Sequence, residues 1–185
     1  MELRGVVLVE GLSDQAAVEA LAGRRGRDLA SEGITVVPIG GAQAIARELE
    51  RFGPRGLDVE LAGLCDAGEE QDFRRGLERA GLGPRAGRAG LERQGFFVCV
   101  DDLEDELIRA LGFEAVEGVV DAQGELRAFR TLQKQPAQRG RTTEAQLRRF
   151  FGSGSGRKIR YARLLVEALD PARVPRPLDL LLARI

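Results

Sequence analysis

Histidine is absent from all 185 residues. That excludes a Ser-His-Asp or Cys-His catalytic engine and any zinc site that uses imidazole. The two cysteines cannot supply a four-thiolate zinc site. Cys65 and Cys99 lie in the apolar, strand-like runs LAGLCD and GFFVCV, which predicts ordinary core thiols. No apolar run approaches the roughly 20 residues of a membrane helix. The short apolar stretch in MELRGVVLVEG has neither the length nor the small-residue cleavage site of a secretory signal. A cytoplasmic chain without a membrane partner is the expectation. Against roughly 150 residues per domain, the length predicts one structural domain with a modest extension. Acid-base or metal chemistry here must run on Asp, Glu, Lys and Arg.

Charge is divided along the chain. Residues 1–120 hold 14 basic and 23 acidic side chains, a balance of -9, and residues 121–185 hold 14 and 6, a balance of +8. An acidic site beside a basic surface would suit a metal-dependent enzyme acting on a polyanion, and two halves that simply neutralise each other would give the same numbers. Only Lys134 and Lys158 are lysines among the 28 basic residues.

Strand and helix signals alternate in the first half. GVVLVE, ITVVPIG, VELAGLCD and GFFVCVDD are continuous apolar runs of the kind buried on both faces of a parallel sheet. Between them stand DQAAVEALAG, capped by Ser13 or Asp14, then AQAIARELERFG and EEQDFRRGLERAG, followed by a Gly/Arg-rich loop, GLGPRAGRAG. LEDELIRALG adds a helix after the fourth run. The pattern predicts an α/β fold: a mostly parallel sheet of about four strands, flanked by helices on both faces. The remainder reads as a polar loop or frayed helix end (TLQKQPAQRGRT), a short helix (TEAQLRRFF), a glycine-serine break (GSGSG), a helix over GRKIRYARLLVEAL and a last helix over RPLDLLLARI. Ile159, Ala162, Leu165, Val166 and Leu169 share one helical face. The expected organisation is a core over 1–120 carrying the acidic site, with a basic helical extension over 121–185 packed on it.

In such a sheet the ligand site lies beyond the carboxyl ends of the strands. Glu10, Asp66 and the pair Asp101 and Asp102 fall there, and Asp14 reaches the same space from the first turn of the next helix. Gathered carboxylates repel unless a cation sits among them, and hard oxygen donors suit Mg2+ or Mn2+. Helix capping is the competing use of such acids. Arg24, Arg25 and Arg27 read as a solvated surface. Arg139, Arg141, Arg148, Arg149, Arg157, Lys158, Arg160 and Arg163 cluster late, a pattern for phosphate contact. Phe150, Phe151 and Tyr161 lie among them at helical spacing, which favours core packing over base stacking.

Val9-Glu10-Gly11-Leu12-Ser13-Asp14 after a strand, followed by the strand ending LCDAGEE, resembles the Toprim domain. VEGLSDQAAVEALA, VVPIGGAQAIARE, DLEDEL and GRK-x-R-YARLL, in that order, resemble more specifically the Toprim module of OLD-family (overcoming-lysogenisation-defect) nucleases, over nearly the whole chain. The resemblance implies a Rossmann-like Toprim fold with C-terminal helices and a carboxylate cluster that binds one or two Mg2+ or Mn2+ ions. It implies Glu10, Asp14, Asp66 and Glu104 as metal ligands and Glu10, Asp66 and Lys158 as catalytic residues. The resemblance gives Lys158 the role of the cation that stabilises transition-state charge. Arg148, Arg149, Arg157, Lys158 and Arg160 are the expected nucleic-acid contacts.

Two features depart from the family. Asp66-Ala67-Gly68 lacks the second aspartate of the Asp-x-Asp signature. Glu69 is a candidate replacement, with helix capping as its alternative use. The chain also carries no ATPase domain of its own, and GSGSGRK fails as a phosphate loop because Arg157 and Ile159 stand at the required Gly and Ser/Thr positions. The expected function is a Toprim nuclease that hydrolyses DNA in preference to RNA, with water as nucleophile because the only tyrosine, Tyr161, lies in the late basic helix. The alternatives are a catalytically degenerate nucleic-acid-binding or adaptor module working with a separate ATPase partner, and a small-molecule phosphohydrolase.

Overall fold

In the computed structural model, which describes residues 2–83, 87–154 and 156–185, one parallel sheet is formed by β1 (Gly5–Val9), β2 (Ile34–Pro38), β3 (Glu60–Asp66) and β4 (Phe96–Cys99). The strand order is β2-β1-β3-β4. Val7 pairs with Val36 on one side and with Ala62 on the other, and Asp66 is level with Cys99. Parallel pairing needs a crossover for each strand, supplied by α1 (Leu12–Arg24), α2 (Ile45–Phe52), α3 (Glu70–Arg79) and α4 (Arg88–Arg93). After β4 the chain is helical: α5 (Leu103–Leu111), α6 (Phe113–Ala122), α7 (Leu126–Gln133), α8 (Thr143–Phe151), α9 (Arg157–Ala168) and α10 (Arg176–Arg184). The α/β architecture read from the alternating runs is the one observed.

Successive residues of a strand face opposite sides, so continuous apolar runs give this sheet two apolar faces. Val7, Val9, Ala62, Leu64, Phe97 and Cys99 pack with α1 and with α5 to α10. Val6, Leu8, Leu61, Cys65, Phe96 and Val98 pack with α2, α3 and α4. Both cysteines are buried free thiols. Phe150, Phe151 and Tyr161 belong to the first layer, where the Phe151 and Tyr161 rings stack 4.5 Å apart. Their use is core packing.

Several local readings change. Gly11, not Ser13 or Asp14, is the N-cap of α1. Ser13 is buried within the first turn, and Asp14 serves from the third helical position. Ile159 is 37% exposed, and the buried face of α9 turns instead on Tyr161, Ala162, Leu165 and Val166. α4 starts inside the stretch read as a Gly/Arg-rich loop, of which 84–86 lie outside the described residues, as does Ser155 of GSGSG. Arg24, Arg25 and Arg27 do more than solvate a surface. Arg24 donates to the Val166 carbonyl at 2.8 Å, Arg27 to the Leu182 carbonyl at 2.8 Å, and Arg25 pairs with Asp179 at 2.5 Å. Arg24 and Arg27 seat α9 and α10 against α1 by satisfying carbonyls near helix C-terminal ends, and Arg25 adds an ion pair to the first turn of α10.

Gly63 in β3 is required by close approach. A Cβ there would stand 2.5 Å from the Leu8 carbonyl oxygen and 2.9 Å from the Phe96 ring. Gly63→Ala should lower urea-unfolding stability by about 1–3 kcal/mol. Gly118→Ala, on an exposed position of α6 with nothing within 4 Å, should raise it by roughly 0.5–1 kcal/mol. Equal stability of Gly63→Ala and the parent chain would contradict this packing.

Candidate metal centre

The carboxyl ends of β1 and β3 deliver Glu10 and Asp66 side by side, because the strands are adjacent and in register. The backbone of Gly11 then turns into α1, and its N–H donates to Asp14 Oδ2 at 2.9 Å, which holds that carboxylate at the mouth of the same space. Past β4, Asp102 caps α5 by accepting from the Asp105 N–H at 2.8 Å, and Glu104 stands in the first turn of α5 at 5% exposure. Lys158, in the first turn of α9, places Nζ 3.1 Å from Glu104 Oε1. Glu10, Asp14, Asp66, Asp102, Glu104 and Lys158 line one open cleft of about 280 Å³. Its far wall is Gly40 and Gly41 after β2, both at positive φ and both with open space where a side chain would be.

The electrostatics of this cleft are dominated by burial and like charge. Burial, then the Glu10 and Asp14 charges and a carboxyl-carboxyl contact with Glu10, push Asp66 up to about 8. Burial and a similar contact with Glu10 raise Glu69 to about 7. Burial raises Asp14 to about 6 against the opposing pull of the Gly11 N–H and Lys158. Glu104 is also raised by burial, with Lys158 opposing. Lys158 holds its proton more tightly than a free lysine: burial opposes this, and Glu104, Asp14 and Asp102 outweigh it.

Glu10 and Asp66 stand at the ends of the paired strands β1 and β3 and line the same cleft, and the Glu10 carboxylate contributes to raising both Asp66 and Glu69. Carboxylates crowded in this way are relieved by a proton or a cation among them. Glu69 Oε2 and Glu104 Oε1 are buried without a hydrogen-bond partner, the Lys158 approach to Glu104 being an ion pair off the hydrogen-bonding direction. An all-oxygen donor set with orphaned buried oxygens fits a hard divalent cation. Among the described residues, no three acidic or thiol side chains already stand as a ready coordination group. The acids are engaged elsewhere: Glu104 by Lys158, Asp102 by Arg148, and Asp14 by the Gly11 N–H.

The expected nucleic-acid contacts divide. Lys158 faces the cleft and Arg148 pairs with Asp102 at its rim, whereas Arg157 and Arg160 both turn to Glu125, and Arg149 is exposed on α8. Ser13, read from the sequence only as a candidate helix cap, and Gly40 and Gly41, not read as site residues, also line the cleft. Asp101 is exposed, and of that pair Asp102 is the one in the cleft.

Residues 3–67 match the family model described as the overcoming lysogenization defect protein-like TOPRIM domain. The C-terminal region of the Xanthomonas campestris pv. campestris OLD protein, in its platinum-phased structure, superposes with a TM-score of 0.74 at 26% identity, covering 98% of this chain and 91% of that one. The chain is similar to OLD-like Toprim domains, in sequence over residues 3–67 and in fold over nearly its whole length. The C-terminal region of the Burkholderia pseudomallei OLD protein shares the fold, with a TM-score of 0.75 at 21% identity over 100% of this chain and 97% of that one. No curated protein matches the sequence. The Toprim match spans Glu10, Asp14 and Asp66, while Glu104 and Lys158 lie beyond it, in the part covered by the structural likeness.

The raised carboxyls of this cleft have a consequence for stability. Between about pH 4 and their raised values, the folded chain holds protons at Asp66, Glu69 and Asp14 that the unfolded chain has released, so the contribution of these groups to metal-free stability is fully present below about pH 4. This advantage is lost as pH climbs through about 6, 7 and 8. In a chelator, the melting temperature should fall from pH 5 to pH 9. Mg2+ or Mn2+ should restore it most at the alkaline end, and Asp66→Asn should flatten the metal-free decline. A flat metal-free profile over that range would contradict the crowding.

Proposed function

We propose that this protein is a divalent-metal-dependent nuclease that hydrolyses phosphodiester bonds, in DNA in preference to RNA. The observation that carries the reading is the convergence of Glu10, Asp14, Asp66 and Glu104 with the cation Lys158 on one cleft at the carboxyl edge of a Toprim sheet. Glu10, Asp14, Asp66 and Glu104 would hold one or two Mg2+ or Mn2+ ions, with Glu69 reaching in where Gly68 leaves the signature one carboxylate short. Such ions, when bound, polarise the phosphoryl group and lower the pKa of water.

The chain's own groups do the rest. Glu10 and Asp66, fixed on strand ends, orient the site with little side-chain freedom. The Gly40-Gly41 wall leaves room for a sugar-phosphate backbone to approach. Lys158 turns from Glu104 toward the phosphate and neutralises charge as it builds on the phosphoryl oxygens. The attacking group is water, because Tyr161 is fully buried and donates its hydroxyl to Glu125 at 2.7 Å, away from the cleft. The core over 1–120 holds this site, and the extension over 121–185 brings Lys158 to it.

The second reading, a nucleic-acid-binding or adaptor module, draws on Gly68 and on the absence of a ready coordination group among the described residues. Supercoiled plasmid and labelled single-stranded DNA and RNA, incubated with Mg2+ or Mn2+, separate the two. Cleavage should be lost in a chelator and fall on the order of a hundredfold or more in Glu10→Gln and Asp66→Asn, since a ligand's share of metal catalysis is several kcal/mol. Salt-sensitive binding without cleavage in the parent chain and both variants would overturn the nuclease and leave the binding module.

A further inference from the structure

The cation that the cleft depends on stands in an electrostatically poor place. Arg157, Lys158 and Arg160 crowd the first turn of α9, at the positive end of the helix dipole, where acids are favoured and bases are not. The helix offers itself no relief: its N-cap is Gly156 in the left-handed region, no side chain caps it, and its first turn has no acid.

Compensation comes from another element. Glu125, the residue before α7, accepts from Arg157 Nη2 at 3.2 Å, Arg160 Nη2 at 2.7 Å and the Tyr161 hydroxyl at 2.7 Å. Those donors are three and four residues apart and so lie on one face of α9. Lys158 lies about 100° around the helix from Arg157, and it is this residue that reaches Glu104. The same arrangement is braced from α8, where the Arg157 guanidinium sits 4.4 Å over the Phe150 ring and donates to Ser153 Oγ at 2.9 Å. Burial would raise the Glu125 carboxyl, but the Tyr161 and Arg160 hydrogen bonds and the Arg157 charge prevail and keep it ionised.

The geometry points to Glu125 as a positioning residue for Lys158: one carboxylate draws Arg157 and Arg160 to the outer side of α9, fixes the rotation of its first turn, and leaves Lys158 as the cation of that turn directed into the acidic cleft. Two consequences follow from the same contact. The flanking arginines cannot collapse onto Glu10, Asp14 or Asp66 and neutralise them. Lys158 meets the cleft at a fixed place instead of sampling the rotamers of a surface lysine.

Because the chain has only two lysines, Lys158 and the exposed Lys134, selective 13Cε-lysine labelling gives two resonances, and this readout is independent of any cleavage. In Glu125→Gln, the Lys158 resonance should move most of the way toward the free-lysine position, with Lys134 unmoved. Glu167→Gln, which removes the Arg163 pair of 2.7 Å further along the same helix, should leave both in place. Glu125→Asp should restore part of the displacement. Where the parent chain cleaves, Glu125→Gln should lower kcat on the order of ten- to a hundredfold with KM little changed, and should add nothing in a Lys158→Ala background. The kinetic arm rests on the nuclease reading, and the spectroscopic arm does not. If Glu125→Gln fails to fold, Arg160→Gln carries the same expectation for the Lys158 resonance at smaller amplitude. A folded Glu125→Gln with an unmoved Lys158 resonance, or one whose kinetic loss is additive with Lys158→Ala, overturns the assignment.

Discussion

Like charges held against one another at the carboxyl edge of the sheet are the constraint around which this molecule is arranged. β1 and β3 are neighbours in register, so their terminal acids meet whatever the side chains prefer. The two apolar layers make that meeting rigid: neither strand can slip without turning an entire face of valines and leucines into the wrong layer. Repulsion that a flexible loop would relieve by moving apart is therefore retained, and it adds to burial in raising Asp66 and Glu69 above the usual carboxylate range. A divalent cation would relieve the same repulsion without those protons.

The positive charges are distributed with comparable economy. The basic surplus after residue 120 looks in the sequence like one phosphate-binding surface. Folded, it includes arginines that fasten helices, such as Arg157 and Arg160 on Glu125, exposed ones such as Arg149, and two cations that meet the cleft among the described residues: Lys158 within it and Arg148 at its rim through Asp102. A count of arginines overstates the surface available to a polyanion, because a guanidinium with a carboxylate 2.7–3.2 Å away has a partner already. Lys158 is paired as well, but its partner, Glu104, belongs to the cleft itself, so that pair is one a bound cation would rearrange.

Much of the sheet was legible because parallel strands buried on both sides are written as continuous apolar runs, and Glu10 and Asp66 were legible as acids at strand ends, whereas Glu104 was named only through the resemblance carried by DLEDEL. Gly40 and Gly41 were harder to see as part of the cleft. They contribute an absence of side chain, and only the pairing of β2 with β1 shows what that absence faces. Glu125 left no signal at all. It lies 33 residues from Lys158 in the chain, in a stretch where α6 and α7 carry ordinary helical composition, and its three partners come together only when α9 docks. The exposure of Ile159 had a similar origin, since periodicity alone gives a helix face without saying which neighbouring helix claims it, and here Tyr161 reaches Glu125 instead.

The central claim is that a divalent cation displaces protons held by crowded carboxylates, and calorimetric titration of the metal-free protein with Mn2+ at pH 7, repeated in two buffers of different ionisation enthalpy, tests it most directly. The account predicts binding coupled to release of about one proton or more per protein, with release diminishing toward pH 9 as the carboxyls ionise unaided, and lost together with binding in Glu10→Gln. Binding with the same heat in both buffers, or no binding at all, would contradict it.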